Sequence, residues 1–262
     1  MSLHTVSEAS AGAPPSRASE PVIRFEQVAV RYRVPHGRIG SFKEYAIRRL
    51  QGRIDHHEFW ALRDVTLQIG QGEVFGIIGR NGAGKSTLLK VVSRVLHPTR
   101  GRVWIRGKVA PLLELGAGFH PELTGRENVY LNGTLLGHSQ REITERFAWI
   151  LEFADLGEFI EAPLRTYSSG MVARLGFAVA MAWKPDVLVL DEILAVGDQP
   201  FQRKCRERIA SFCDDGTTVL LVTHDLNSLQ TLCRHAVWID QGKVQCVGPS
   251  ADVAAAYATW QL

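Results

Sequence analysis

The chain predicts an α/β fold with a mixed or parallel sheet, an N-terminal antiparallel β-subdomain and an inserted α-helical subdomain. Three observations carry this. Short all-apolar runs, "DVLVL" at 186–190 and "TVLLV" at 218–222, suit central parallel strands covered on both faces. Alternating stretches near the N-terminus, "VIRFEQVAVRY" and "ALRDVTLQI", suit half-buried strands. Between about Thr124 and Pro163, apolar residues recur at three-to-four spacing, as in "REITERFAWILEFADL", which reads as helix.

In chain order, the first twenty residues are small and polar, without an apolar signal segment, and read as a disordered tail. The remainder, 21–262, reads as one domain, with the helical subdomain at about 116–183. After the first strand, a basic insertion runs from His36 to His57. Phe42, Tyr45, Ala46 and Leu50 can share one helical face there, with Lys43, Arg48, Arg49 and Arg53 largely off it. A basic amphipathic helix of this kind suits an anionic membrane surface or the edge of a membrane protein. A Gln71-Gly72 turn then leads into the buried strand "EVFGIIG", and "KSTLLKVVSRVL" follows as helix. "RVWIRG" is a short strand and "MVARLGFAVAMAW" a further helix. "AVWIDQGKVQCVG" reads as a hairpin with a Gln-Gly turn, and "SADVAAAYATWQL" as a last helix.

Composition narrows the function classes. The formal net charge is +3, from 30 basic and 27 acidic residues, too mild an excess to argue for nucleic acid. The four cysteines form no C-x-x-C pair, so neither a zinc site nor a redox motif is indicated. No apolar run reaches the roughly 18 residues that a membrane-spanning helix needs.

The chemistry begins at "GRNGAGKST", Gly79 to Thr87. Gly79 to Ser86 match G-x-x-x-x-G-K-[ST] between a predicted strand and a predicted helix. Glycines let the N–H groups of Arg80, Asn81, Gly82, Ala83 and Gly84 turn around phosphates, and the helix N-terminus adds its positive dipole end. Lys85 reaches the outer phosphates of ATP, and the Ser86 hydroxyl suits Mg²⁺. This predicts a P-loop NTPase core. "VLVLDE" then ends a buried strand in two carboxylates. Asp191 is placed to hold the Mg²⁺ shell and Glu192 to polarise an attacking water. His224 follows the strand "TVLLV" and is placed to face the γ-phosphate, although a histidine at such a spot also serves purely structural ends.

The stretch "TYSSGMVARLGFAVAMAWKPDVLVLDE", Thr166 to Glu192, resembles the ATP-binding cassette (ABC) family. Tyr167 to Met171 stand where that family has Leu-Ser-Gly-Gly-Gln. Ser168 and Gly170 keep the pattern; Tyr167, Ser169 and Met171 depart from it. The resemblance implies that Ser168 and Gly170 cap the γ-phosphate of a second subunit's ATP, so that a homodimer sandwiches two ATPs head to tail. It also places Asp198 at the dimer interface. "LLELGAGFHPELTGRENVYLNGTLLG", "LRTYSSGM" and "DEILAVGDQPFQRKC" look like one branch, the ATPase subunits of bacterial polysaccharide exporters. That implies a separate integral membrane permease, a lipid-linked glycan of the O-antigen, capsule or teichoic-acid type as cargo, and a peripheral position on the cytoplasmic face of the inner membrane. The alternatives are the ATPase of a drug, haem or lipid exporter, or a soluble ABC ATPase outside transport. In the family a glutamine before the helical subdomain senses Mg²⁺; here that place falls at Glu114 or Leu115, and Glu114 is the polar candidate. The family also stacks adenine on an aromatic just after the first strand. Tyr32 fits, and Trp60 is the rival.

Overall fold

The computed structural model describes residues 21–35, 56–112, 116–191 and 197–261. The tail expected at 1–20, the insertion from 36 to 55, Glu114, Leu115 and Glu192 lie outside the described residues.

Two sheets organise the chain. The first is antiparallel: β1 (Ile23–Pro35) lies between β2 (His56–Ile69) and β4 (Arg100–Ile105). Ile23 and Phe25 of β1 are buried, and so are Val28 and Val30, three and five residues after Phe25. Strict alternation would turn that second pair outward. A register shift between Phe25 and Val28, with Gln27 at a φ of 48°, restores the inward face. Gly101 of β4 permits the bulge, because a Cβ there would stand 2.3 Å from the Gln27 carbonyl.

The second sheet has the order β5-β6-β7-β3-β8-β9, with β3 (Val74–Ile78), β5 (Val109–Leu112), β6 (Val187–Asp191), β7 (Thr218–Val222), β8 (His235–Asp240) and β9 (Lys243–Pro249). Pairing is parallel from β5 to β8 and antiparallel at β9. β6 is buried up to its last residue and β7 along its whole length, which explains their unbroken apolar runs. The Gln-Gly hairpin expected near the C-terminus is β8–β9, with Gln241 and Gly242 both at positive φ.

The helices are α1 (Lys85–Val92), α2 (Gly125–Leu135), α3 (Gln140–Ala154), α4 (Ser169–Ala180), α5 (Gln199–Asp214), α6 (Leu226–Leu232) and α7 (Ser250–Gln261). Capping boxes start α2, through Thr124 and Glu127, and α3, through Ser139 and Glu142. Two helices are shorter than their apolar runs suggested. α1 gives way at Ser93 to a turn with Arg94 at a φ of 59°. α4 ends ahead of Lys184-Pro185, a pair that disfavours helical backbone before the proline. The sequence reading did not pick out β5, a four-residue strand at the sheet edge that contains Pro111. Nor did it pick out α5, whose buried Phe201, Cys205, Ile209 and Phe212 are interleaved with charge.

Three cores result. One lies between the antiparallel sheet with α1 and one face of the main sheet, around Phe25, Leu62, Ile77, Leu89 and Val189. The second covers the other face, around Leu188, Phe201, Phe212, Leu229 and Tyr257. The third is the interior of the helical subdomain, around Val129, Ile143, Ile150, Leu175 and Val179. Each fully buried side chain of this size stabilises by roughly 1.5–3 kcal/mol. Among the described residues, no helix is long and apolar enough to cross a membrane.

Candidate nucleotide-binding site

Strand register brings the expected residues to one edge of the main sheet. Ile77 of β3 pairs with Val222 of β7, and Val222 pairs with Asp191 of β6. Gly79 begins two residues past this row on β3 and His224 two residues past it on β7. The phosphate loop, Asp191 and His224 therefore open from neighbouring strands at their C-terminal ends, where ligands of open α/β sheets bind.

The loop itself is fixed by close packing. A Cβ on Gly79 would stand 2.1 Å from the Ile239 carbonyl, and one on Gly84 2.5 Å from the Ala61 carbonyl. Gly84 has a φ of 111° and forms the N-cap of α1 without any side-chain cap, so the first amides of that helix stay available to an anion. Gly82, at a φ of 79°, has nothing within 4 Å of its missing Cβ and faces open space. The Lys85 ammonium donates to the carbonyls of Gly79, at 2.6 Å, and Arg80, at 3.0 Å, and so bends back over the loop. Arg80 sends its guanidinium to the last turn of α7, 5.7 Å from the Trp260 ring centre. Ser86 and Thr87 follow Lys85 in the first turn of α1.

Behind the loop stands the β8–β9 turn. The Gly242 amide donates to the Ala83 carbonyl at 2.8 Å, and the Gly242 carbonyl accepts from the Arg63 amide at 2.7 Å. No sequence motif marked Gly242 or Arg63 for this role. The only trace was the Gln-Gly turn itself.

His224 is exposed between β7 and α6. Asp225 caps α6: its carboxylate accepts from the Ser228 amide at 2.9 Å and hydroxyl at 2.6 Å, and from the Asn227 amide at 3.2 Å. These bonds, those of Ser228 foremost, hold the Asp225 carboxyl below its usual range. On the other side, the Thr223 amide donates to the Ile77 carbonyl at 3.2 Å. His224 thus sits between two anchored neighbours.

Ser168 lies elsewhere, at the start of α4, which packs on α2, α3 and β5, whereas α1 packs on β2 and β4. Its hydroxyl accepts from the Met171 amide at 3.2 Å and caps the helix. A Cβ on Gly170 would meet only the Ser168 hydroxyl, at 3.8 Å, so the chain's own packing does not demand a glycine there. Two of the three departures from the family pattern have structural reasons. Tyr167 and Met171 pack on the helical-subdomain core, and the Tyr167 hydroxyl donates to the Phe159 carbonyl at 2.5 Å. Asp198 is exposed and caps α5 by accepting from the Phe201 amide at 3.0 Å.

The two aromatic candidates for adenine stand on opposite faces of the antiparallel sheet. Tyr32 lies two residues from buried Val30 and packs on the first core. Val30 pairs with Leu62, whose side chain would lie 3.1 Å from a Cβ on Gly84 of the phosphate loop. Trp60 pairs with Arg31 on the outer face. The guanidinium carbons of Arg31 and Arg100 both lie over its ring, 5.4 Å from the centre. The cleft beside it contains no residue of the phosphate loop. Trp60 and Tyr32, the two aromatics expected to compete for adenine, thus take opposite faces of the sheet. The bulged register of β2 turns Trp60 to the outer face.

No described cluster of three or more His, Cys, Asp or Glu residues could hold a metal alone.

Comparison with known proteins bears on the same residues. Residues 62–195, which contain the phosphate loop, Ser168 and Asp191, match the family described as ABC transporter. The chain is 46% identical over 244 residues to an O-antigen export system ATP-binding protein of Klebsiella pneumoniae, covering 90% of this chain and 97% of that one. It is 38% identical over 235 residues to a teichoic acids export ATP-binding protein of Bacillus cereus, covering 90% of this chain but 42% of that relative. Among solved structures, it resembles an ATP-binding cassette in a dimeric post-hydrolysis state bound to ADP and Pi. There the TM-score is 0.66 at 24% identity, covering 87% of this chain and 98% of that one, a likeness of fold. With the family match over the phosphate loop and the near full-length kinship, this chain belongs to the ABC transporter family of ATP-binding cassettes.

Proposed function

We propose that the chain is the ATP-binding and ATP-hydrolysing subunit of an exporter. It works as a head-to-tail homodimer on the cytoplasmic face of the inner membrane. A separate integral membrane permease carries the cargo, a lipid-linked polysaccharide of the O-antigen, capsule or teichoic-acid type. The observation that carries this reading is the relationship to the Klebsiella O-antigen export proteins, at 45–46% identity over nearly the whole of both chains.

In this reading the loop amides from Arg80 to Gly84, with Lys85 and Thr87, hold the phosphates, and Tyr32 stacks on adenine. Ser86 and Asp191 hold Mg²⁺, with Glu114 as a further ligand. Mg²⁺ neutralises charge on the β- and γ-phosphates when bound. Glu192 accepts the proton of the attacking water, and His224 contacts the γ-phosphate. Ser168 and Gly170 close the partner's site. The room at Gly170 supports that last role, because a Cβ there would meet only the Ser168 hydroxyl, at 3.8 Å, within the chain itself.

The test is genetic and chemical together. A strain lacking the chain is expected to lose its surface polysaccharide and accumulate the lipid-linked glycan inside. Wild-type protein should restore export, and Lys85→Ala should not. Full surface polysaccharide in the deletion strain overturns the reading.

A further inference from the structure

We propose that the outer face of the antiparallel sheet carries a second binding site, built on Trp60, Arg63 and Arg100, for a polyol phosphate ester. The proposal stands apart from the nucleotide chemistry. A cleft of about 510 Å³ opens on this face, lined by these side chains together with Ala29, Asp64 and Gly101. That volume is in the range of sites that take small ligands.

The arginines around Trp60 are not equivalent. Arg31 is committed within the protein: one of its guanidinium nitrogens donates to both oxygens of Glu58, at 2.7 and 2.8 Å. Arg100 is held instead by the indole, with its guanidinium carbon 5.4 Å from the ring centre, and it takes part in no ion pair among the described residues. A cation–π contact of this kind places a guanidinium over the ring while leaving its N–H donors unused. The result is a positioned fork with its charge intact, the arrangement that pairs with a phosphate through two parallel hydrogen bonds. Arg63, on the same cleft, likewise has no ion pair.

The remaining lining defines the rest of the ligand. Asp64 forms no ion pair with either arginine, so its carboxylate is available to accept from a hydroxyl. Trp60 and Ala29 give an apolar floor for a carbon skeleton. A phosphate beside hydroxyl-bearing carbons matches all three features. A lipid headgroup and a soluble ester both present that chemistry. The cleft also backs onto the nucleotide site: the Arg63 amide donates to Gly242, whose own amide holds Ala83 of the phosphate loop.

The experiment uses the full chain saturated with ADP, so that the phosphate loop is filled. Glycerol 3-phosphate is titrated by calorimetry, and phosphatidylglycerol vesicles are compared with phosphatidylcholine vesicles by co-sedimentation. Arg100→Gln is expected to weaken binding roughly tenfold, as loss of a charge-assisted bidentate contact does. Trp60→Leu keeps the charge but frees the guanidinium, and should weaken binding several-fold. Arg24→Gln removes an arginine on the same sheet, one that stacks on Trp104 outside the cleft, and should leave binding unchanged. Melting temperature and ADP affinity check that each variant is folded. Saturable binding of glycerol 3-phosphate that Arg100→Gln weakens supports a soluble ester. The same loss seen with vesicles alone supports a lipid headgroup. If neither probe prefers wild type over Arg100→Gln, or if Arg24→Gln weakens binding equally, the site does not exist.

Discussion

The Gly242 amide donates to the Ala83 carbonyl at 2.8 Å, so a hairpin turn more than 150 residues along the chain supports the phosphate loop from behind. Gly242 has a φ of 78°, and a Cβ there would approach the Ala61 carbonyl to 2.6 Å. Gly242→Ala should therefore cost about 1–3 kcal/mol through left-handed strain and the forced shift. It should also raise the ATP dissociation constant several-fold, because the loop loses its backing. Thermal unfolding and a nucleotide titration read the two effects. A variant that binds ATP normally at lowered stability would show that the turn supports the fold and not the loop geometry.

Glu192→Gln is expected to reduce turnover by ~10²–10⁴-fold, the usual range for loss of a general base, while ATP stays bound. The neutral amide keeps the shape and removes a charge beside the phosphates, so the ATP-bound dimer should accumulate. Single-turnover hydrolysis and size-exclusion in ATP measure this. Near wild-type turnover would assign the base to another residue.

Ser168→Arg should block hydrolysis without weakening ATP binding by the isolated chain, because Ser168 starts a helix of the helical subdomain and the phosphate loop lies on the main sheet. Mixed with a Lys85→Ala chain, it should regain activity from one intact composite site. Loss of ATP binding by the monomeric variant would place Ser168 in its own subunit's pocket.

Trp260 couples the last helix to the loop through Arg80, and its ring also lies 5.2 Å from that of Trp238. Trp238 pairs with Ile78, the residue before Gly79. ATP should change the tryptophan emission, and Trp260→Phe should remove most of that change. Arg80→Gln should reduce it as well. An unaltered response in both variants would show that the helix does not follow the loop.

His138 stacks on Trp183 with ring centres 3.8 Å apart, and its Nδ1 is buried without a partner. Burial lowers its pKa from the ordinary 6.5, with Lys108 adding to the effect and Glu142 opposing it. The unfolded chain therefore binds the proton more readily. Stability should be full above pH 6.5 and fall as the pH drops through that value toward the lowered folded-state pKa. Chemical denaturation from pH 8 to 5 measures this, and His138→Gln should flatten the slope between pH 7 and 5.

By itself the sequence determined the phosphate loop, the Asp191-Glu192 pair and most of the strands and helices, because each rests on local pattern. A strand between turns, a capped helix start such as Thr124-x-x-Glu127 and a glycine-rich loop all act within a few residues. Only the tertiary structure decided which face each aromatic took. Tyr32 and Trp60 both lie on β-strands, and a β-bulge, which no local pattern fixes, sends one inward and one outward. The same holds for the pairing of Gly242 with Ala83, for the guanidinium stacking on Trp60 and for the four-residue edge strand β5. These depend on chain segments far apart in sequence. Their free energy comes from close packing and hydrogen bonds that exist only once the sheets have assembled.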